Sequence, residues 1–324
     1  MPVFVIHAVH DTITPRQRTD MVPTSSTPSL NLPLPSSVTR VVILCALPRE
    51  AALIREHLED RHDDERYAVS YSTGFFAGKA VTVGVAGMGT VAAAAAAQFL
   101  ITQFQPDVFF FSGIAGGLNA LLDVGDIVVG KELKYLETNT AIIAECDPFL
   151  EVFPSHPALV ELAQNALRDL GYAEVPANSE IYSVAPAERE EYLASQKARV
   201  AQQVAAAGSH TLPDSQAARI WEEENSTYRG HHFTTGVINT SDEFNTDPAV
   251  LEASREREHG DCEEMEGVAA AHVAHRCRIP FLALRSLSNQ CGEAYDELGS
   301  AEDRMSATAR DVAAVALRVV ETLD

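Results

Sequence analysis

The sequence predicts an α/β fold: a three-layer α/β/α sandwich with a central mixed β-sheet. Three observations carry this expectation. Val41 to Ala46, Val108 to Phe111 and Phe281 to Ser286 are short, continuous apolar runs, the signature of strands buried on both faces. These runs alternate along the chain with segments of helical periodicity. With 324 residues, 46% hydrophobic and 22% charged, the chain has ample apolar material for one large core or two small ones.

The elements follow in order. Residues 1–38 are expected to form a disordered leader, because residues 14–38 are rich in Pro, Ser and Thr. Met21 offers an alternative start. The leader lacks the basic start, apolar stretch and small-residue cleavage site of a signal peptide. Ordered structure is expected from Thr39. After the first strand, Pro48 sits at a favoured first helical position and the helix continues from Arg49 to Leu58. Residues 66–73 and 80–86 read as strands. Gly87 and Gly89 then break the chain, and Thr90 is a candidate cap for an Ala-rich helix running to about Phe104. The strand from Val108 ends in Ser112-Gly113-Ile114-Ala115-Gly116-Gly117. Asp126 to Gly130 and Thr234 to Asn239 read as strands. Ala158 to Leu170, Glu263 to Cys277 and Met305 to Leu323 read as helices. Residues 176–232 interrupt the rhythm with charged helical stretches such as Glu188 to Ala206. They read as an insertion within a domain spanning 39–324.

Charge and composition exclude several functions. A net charge of −22 repels phosphate backbones, so no nucleic-acid partner is expected. No apolar run reaches the ~20 residues of a membrane span. The longest candidate, Val91 to Phe104, is interrupted by Gln98 and Gln103. The five cysteines form no CxxC pair, which argues against a disulfide framework or zinc site and fits a reduced, cytoplasmic setting. His272 and His275 lie three apart on an expected helix without a third ligand, and packing is the better reading of both. No metal or other cofactor is called for.

Four segments in order carry a family resemblance: VVILCALPREAALI (Val41 to Ile54), GMGTVAAAAAA (Gly87 to Ala97), PDVFFFSGIAGGL (Pro106 to Leu118, followed by VGDIVVG), and CEEMEGVAAAHV (Cys262 to Val273) with FLALRSLSN (Phe281 to Asn289). Together they resemble the nucleoside phosphorylase/nucleosidase superfamily, most of all its methylthioadenosine/S-adenosylhomocysteine nucleosidase branch. The resemblance covers roughly residues 40–170 and 233–323. It implies a purine nucleoside as the small-molecule partner, cleavage of the bond between base and ribose, and a homodimer.

The resemblance also assigns residues. Such cleavage builds positive charge on the ribose and negative charge on the departing purine, and both need stabilising. Glu50 matches the glutamate that activates water; the plain alternative is an exposed Glu in a helix first turn, favoured by the helix dipole. Glu264, Met265 and Glu266 match the segment that faces the ribose, with Glu266 accepting from the 2′ and 3′ hydroxyls. Glu263 reads as no more than an acid preferring a helix N-terminus. Phe244 matches the aromatic that stacks on the base, against the plain alternative of core packing. Arg285 and Asn289 end the last buried strand, where α/β sheets place ligands. Arg285 is assigned to positioning the groups around water. Two residues depart from the family pattern. Asn289 stands where the branch has an Asp that protonates N7; an Asn can hydrogen-bond N7 or a 6-oxo group but supplies no proton. Ile114 stands where the family has a hydroxyl touching the nucleophile or phosphate. Gly116 belongs to the adjoining glycine cluster, which permits close backbone approach.

Arg49 is the only cation of the first loop, and Glu50 beside a phosphate is electrostatically unfavourable. Water is therefore the expected nucleophile. The alternatives are phosphorolysis of 6-oxopurine nucleosides and a non-catalytic nucleoside-sensing module.

Overall fold

In the computed structural model the described residues are 32–206, 211–224, 226–294 and 302–324. Their strands are β1 (Arg40–Cys45), β2 (Glu59–Arg66), β3 (Val69–Phe76), β4 (Lys79–Val85), β5 (Val108–Gly117), β6 (Ile127–Tyr135), β7 (Phe153–Pro154), β8 (Ala173–Glu174), β9 (His232–Thr240), β10 (Gly260–Glu264) and β11 (Phe281–Gln290). The helices are α1 (Pro48–Glu56), α2 (Thr90–Phe104), α3 (Thr140–Ile143), α4 (Pro157–Asp169), α5 (Asn178–Ile181), α6 (Pro186–Ala206), α7 (Gln216–Glu224), α8 (Pro248–Glu256), α9 (Gly267–Arg276) and α10 (Glu302–Thr322).

The sheet order is β10-β9-β6-β11-β5-β1-β4-β3-β2, with β7 on β6 and β8 on β9. Pairing is mixed: β1, β4, β5 and β11 run parallel, whereas β6 is antiparallel to β11. β10 lies parallel to β9 and also pairs antiparallel with Gly116 and Gly117 of β5, which closes one end of the sheet on itself.

Period-two alternation in the buried strands divides the core into two apolar layers. Val41 and Ile43 of β1 and Phe110 of β5 pack on one face with residues of α1, α4, α7 and α10. Val42 and Leu44 of β1 and Phe109 and Phe111 of β5 pack on the other with α2 and α9. The mixed central sheet flanked by helices is the architecture the sequence predicts.

Three local readings differ. β2 has the sequence EDRHDDER and is wholly exposed, so no apolar alternation marks it; it is held as an edge strand by antiparallel pairing with β3. The segment expected to be helical from Glu263 instead begins as strand β10, and its helix starts only at Gly267. The helix of Thr90 is not capped by the Thr90 side chain. Asp242, distant in sequence, accepts from the Thr90 N–H at 2.8 Å and from its hydroxyl at 2.6 Å.

The segment read as an insertion packs on the core at both ends. Asn178 is buried, and α7 contributes Ala217, Ala218 and Ile220 to the α10 layer. Arg229 stacks over Trp221 at 3.8 Å and pairs with the buried Asp311 of α10 at 3.6 Å. His272 stacks on Phe153 with ring centroids 4.5 Å apart, and His275 contacts the Pro154 carbonyl at 2.8 Å, so both have packing partners.

Residues 1–31 of the expected leader lie outside the described residues, but its last part does not behave as a leader. Val38 is buried and its N–H donates to the Asp324 carbonyl at 2.5 Å, while the Leu32 carbonyl meets His156 Nε2 at 2.7 Å. An apolar contact and these hydrogen bonds thus tie residues just ahead of Thr39 to the rest of the described chain. A chain beginning at Thr39 is expected to melt below one beginning at Leu32 by on the order of 4 °C, from the lost burial of Val38 and its contacts. Equal melting temperatures in thermal unfolding would show those contacts contribute nothing.

Candidate active site

The C-terminal ends of β1, β5 and β11 and the turn from β10 into α9 meet around a cavity of about 540 Å³, within the range of small-molecule sites. Its lining includes Glu50, Ile114, Gly116, Phe244, Glu264, Met265, Glu266 and Asn289. Of the expected site residues only Arg285 is not on its surface.

Glu50 is placed by helix geometry. It stands in the first turn of α1, and its carboxylate turns back over the strand end. Oε2 accepts from the Ala46 and Leu47 N–H groups, each at 2.8 Å, and Oε1 accepts from the Ile114 N–H at 2.9 Å. It is 3% exposed, so the alternative of an exposed helix-turn acid does not hold. A Cβ on Gly113 would stand 2.5 Å from Glu50 Oε1, which is why only glycine fits beneath this carboxylate. Burial raises the Glu50 pKa above the ordinary carboxylate value. The Ile114 N–H, Arg285 and the Leu47 and Ala46 N–H groups pull it back.

Glu266 immediately precedes α9 and accepts from the Gly89 N–H at 2.7 Å. Burial first, and then the neighbouring Glu264 and Glu50, push its pKa up to about 8, against the Gly89 N–H and Arg285. Glu50 and Glu266 are thus close enough to feel one another's charge across the same cavity.

Glu264 lines the cavity with its carboxylate already engaged. Oε2 pairs with Arg285 at 2.7 Å, the Gly267 N–H donates to both oxygens, the Glu266 N–H donates to Oε2, and the Thr240 hydroxyl donates to Oε1. It fixes the start of α9. Arg285 is 1% exposed, stacks over Phe111 at 4.3 Å and lies beneath the floor, so it acts on the cavity through Glu264 and through its charge.

Asn289 depends on a β-bulge. Leu287 pairs with Ala115 and Asn289 with Gly116, leaving Ser288 between. The extra residue brings both Ser288 and Asn289 to the cavity, which straight strand alternation does not allow. The Asn289 carbonyl accepts from the Ser288 hydroxyl at 3.0 Å, and its amide donates to the Gln290 carbonyl at 3.0 Å. Phe244 and Met88 line the rim and are 42% and 57% exposed.

Several lining residues carry no functional signal in the sequence reading, Asn245, Ser288, Cys291, Glu302 and Met305, and Glu263, read there as a helix-start acid, also lies on the lining, from strand β10. Asn245 follows Phe244 and Ser288 precedes Asn289, so adjacency to a matched residue was the available clue. Glu302 pairs with Arg49 at 2.8 Å and thereby neutralises the one cation of the first loop.

The sequence matches the family model described as the phosphorylase superfamily over residues 40–185 and 183–323. The chain belongs to the phosphorylase superfamily. Within this superfamily it is similar to the 5'-methylthioadenosine/S-adenosylhomocysteine nucleosidase of Bacillus subtilis (strain 168), 24% identical over 256 residues, 78% of this chain and 87% of the relative. It is 28% identical over 254 residues to the protein of the same name from Colwellia psychrerythraea (strain 34H), covering 78% of this chain and 84% of the relative. Among solved structures, the Neisseria meningitidis 5'-methylthioadenosine/S-adenosylhomocysteine nucleosidase in complex with methylthio-immucillin-A superposes with a TM-score of 0.64 at 22% identity, covering 88% of this chain and all of that one (100%).

The buried acids make a stability prediction. Glu266 has an ordinary value of 4.5 and a folded value of about 8, so between these the folded chain holds a proton that the unfolded chain releases. Stability contributed by this group is present below the unfolded value and is lost as pH rises towards 8. The difference in unfolding free energy between wild type and Glu266→Gln is expected to move against wild type from pH 5.5 to pH 8, by up to about 1.4 kcal/mol per pH unit. Urea unfolding at the two pH values checks this; a difference that moves in favour of wild type as pH rises contradicts it.

Proposed function

We propose that this chain hydrolyses the N-glycosidic bond of a purine nucleoside, releasing the free base and the ribose moiety. The observation that carries the reading is the convergence of two buried carboxylates, Glu50 and Glu266, and the Asn289 amide on one cavity. The names borne by the similar proteins support the same class of substrate.

Each group has a task in that reaction. Glu50, its basicity raised by burial, takes a proton from the attacking water. Glu266 accepts from the ribose hydroxyls, and the Glu50 carboxylate offsets the positive charge that develops on the sugar. Met265 packs on the ribose and Phe244 stacks on the base. Asn289 donates an amide hydrogen to N7 and steadies the departing purine without supplying a proton. Arg285 holds Glu264, and through it the start of α9 that carries Met265 and Glu266.

Phosphorolysis is the weaker reading. Ile114 offers no hydroxyl, Arg49 is paired with Glu302, and Glu50 occupies the Ile114 N–H that an anion would otherwise use. A phosphate there would face two carboxylates.

The domain reading is part of the same proposal. Residues 176–232 form an insertion in a domain spanning 39–324, and the two family matches overlap at residues 183–185, inside it. Free cysteines support a cytoplasmic setting, and no helix among the described residues is long and apolar enough to cross a membrane.

Base release from purine nucleosides is expected to proceed in phosphate-free buffer and to fall about a thousandfold in Glu50→Gln. The Gln amide would face backbone donors that the carboxylate now accepts from, so the variant is also expected to be less stable by roughly 1–3 kcal/mol. Activity is therefore compared at a temperature where circular dichroism shows both proteins folded. Strict dependence on phosphate would point to a phosphorylase, and tight nucleoside binding without turnover to a sensor.

A homodimer is the proposed assembly. Met88 and Val91, beside the cavity at the start of α2, are 57% and 82% exposed, an apolar pair that a second copy would cover. Light scattering at micromolar concentration is expected to give twice the chain mass; a monomer mass contradicts the proposal.

A further inference from the structure

The turn that opens α2 is soft in itself. Gly87, Met88 and Gly89 lead from β4 into the helix, and both glycines have positive φ, 88° and 92°. Neither has a side chain to fix it. The turn nevertheless carries a contact of the site, the Gly89 N–H donated to Glu266 Oε1 at 2.7 Å. Burial and the charges of Glu264 and Glu50 drive Glu266 towards its neutral form. Of the two groups that oppose them, the Gly89 N–H stands ahead of Arg285.

Asp242, 152 residues further along the chain than Thr90, holds this turn from outside the cavity. It is exposed, yet both of its oxygens are engaged by Thr90: Oδ1 accepts from the N–H at 2.8 Å and Oδ2 from the hydroxyl at 2.6 Å. The Gly89 carbonyl accepts from the Ala93 N–H at 3.1 Å, so the peptide joining Gly89 to Thr90 is held on both sides. A Cβ on Gly89 would lie 3.4 Å from Asp242 Oδ1, which shows how closely the carboxylate rests on that glycine.

Asp242 is anchored in turn to the segment that carries Glu266. The neighbouring Ser241 N–H donates to the Glu264 carbonyl at 3.0 Å, and the Ser241 hydroxyl is buried against Glu137. The end of β9, the start of α9 and the start of α2 therefore close a ring of three links: Asp242 to Thr90, Gly89 to Glu266, and Glu264 to Ser241.

We propose that Asp242 is a positioning residue for Glu266: by fixing Thr90 it keeps the Gly89 N–H on Oε1, and so keeps the other oxygen of Glu266 presented to the ribose hydroxyls. This rests on the nucleosidase reading and adds to it a residue that does not line the cavity. A plain helix cap would stabilise α2 and leave the choice of sugar alone. A positioning residue moves the choice of sugar, and does so only while Glu266 is present.

The test uses the full chain with Asp242→Ala, Asp242→Asn, Glu266→Ala and the double variant Asp242→Ala/Glu266→Ala. Base release is followed from adenosine and inosine and from their 2′-deoxy counterparts, at a temperature where circular dichroism shows each variant folded. Asp242→Ala is expected to lower kcat/KM about tenfold for the ribosides and less than about threefold for the 2′-deoxyribosides, the difference being within the worth of one hydrogen bond. Asp242→Asn keeps one acceptor oxygen for Thr90 and is expected to recover part of the loss. With Glu266→Ala already in place, Asp242→Ala is expected to cost nothing further, because its effect passes through the missing carboxyl. Should Asp242→Ala not fold, Asp242→Asn carries the same two comparisons. Equal losses for both sugars, or the same loss with and without Glu266, overturn the proposal and leave Asp242 as a helix cap. Failure of the wild type to release base from any of the four nucleosides overturns the nucleosidase reading itself.

Discussion

The ion pair between Glu264 and Arg285, 2.7 Å apart and sealed beneath the cavity floor, is the interaction on which the site depends. Taking two charges out of water is expensive, and a pair of apolar residues would stabilise the fold at least as well. What the pair contributes is placement. Arg285 belongs to β11, Glu264 to the end of β10, and the same carboxylate receives the Thr240 hydroxyl of β9 and the first N–H groups of α9. Four elements are thus fixed to one point. Losing either partner leaves an uncompensated buried charge, at a cost of about 3–5 kcal/mol, and releases the segment that carries Met265 and Glu266.

The same pair sets the electrostatics. Glu50, Glu263, Glu264 and Glu266 all line one cavity, and burial raises the pKa of Glu50, Glu263 and Glu266. Arg285 is the cation that opposes this for Glu50 and Glu266. Without it these two carboxyls would hold more protons at neutral pH. Arg285 is paired with Glu264 and Arg49 with Glu302, so both of these cations beside the cavity are already engaged.

The legible parts of the sequence were those where burial on both faces leaves one composition possible. β1, β5 and β11 could be read directly because their apolar runs have no competing interpretation at that length. β2 could not, because an edge strand of charged residues owes its existence to β3 and carries no pattern of its own. The acids before α9 were misread for a related reason. Consecutive glutamates suit a helix N-terminus, and only the pairing of β10 with β5 and β9 shows that two of them lie in a strand. Thr90 looked like a cap because the true acceptor, Asp242, is brought to it by tertiary folding. In the site, Glu50 and Asn289 were found by resemblance, but the backbone donors that bury Glu50 and the bulge that turns Asn289 inward are not local properties of their segments.

The bulge in β11 and the closure of β10 onto β5 together explain why this end of the cavity is polar. Gly116 lies between two strands that approach from opposite sides, one antiparallel and one parallel with an extra residue. Closure brings Glu263 to one flank, and the extra residue brings Ser288 and Asn289 to the other. A regular strand in place of the bulge would turn one of Ser288 and Asn289 away from the cavity. Both irregularities disturb the ladder of an otherwise well-paired sheet. They fall at the strand ends that the rest of the fold leaves open to a ligand, which is where such a cost can be offset by binding.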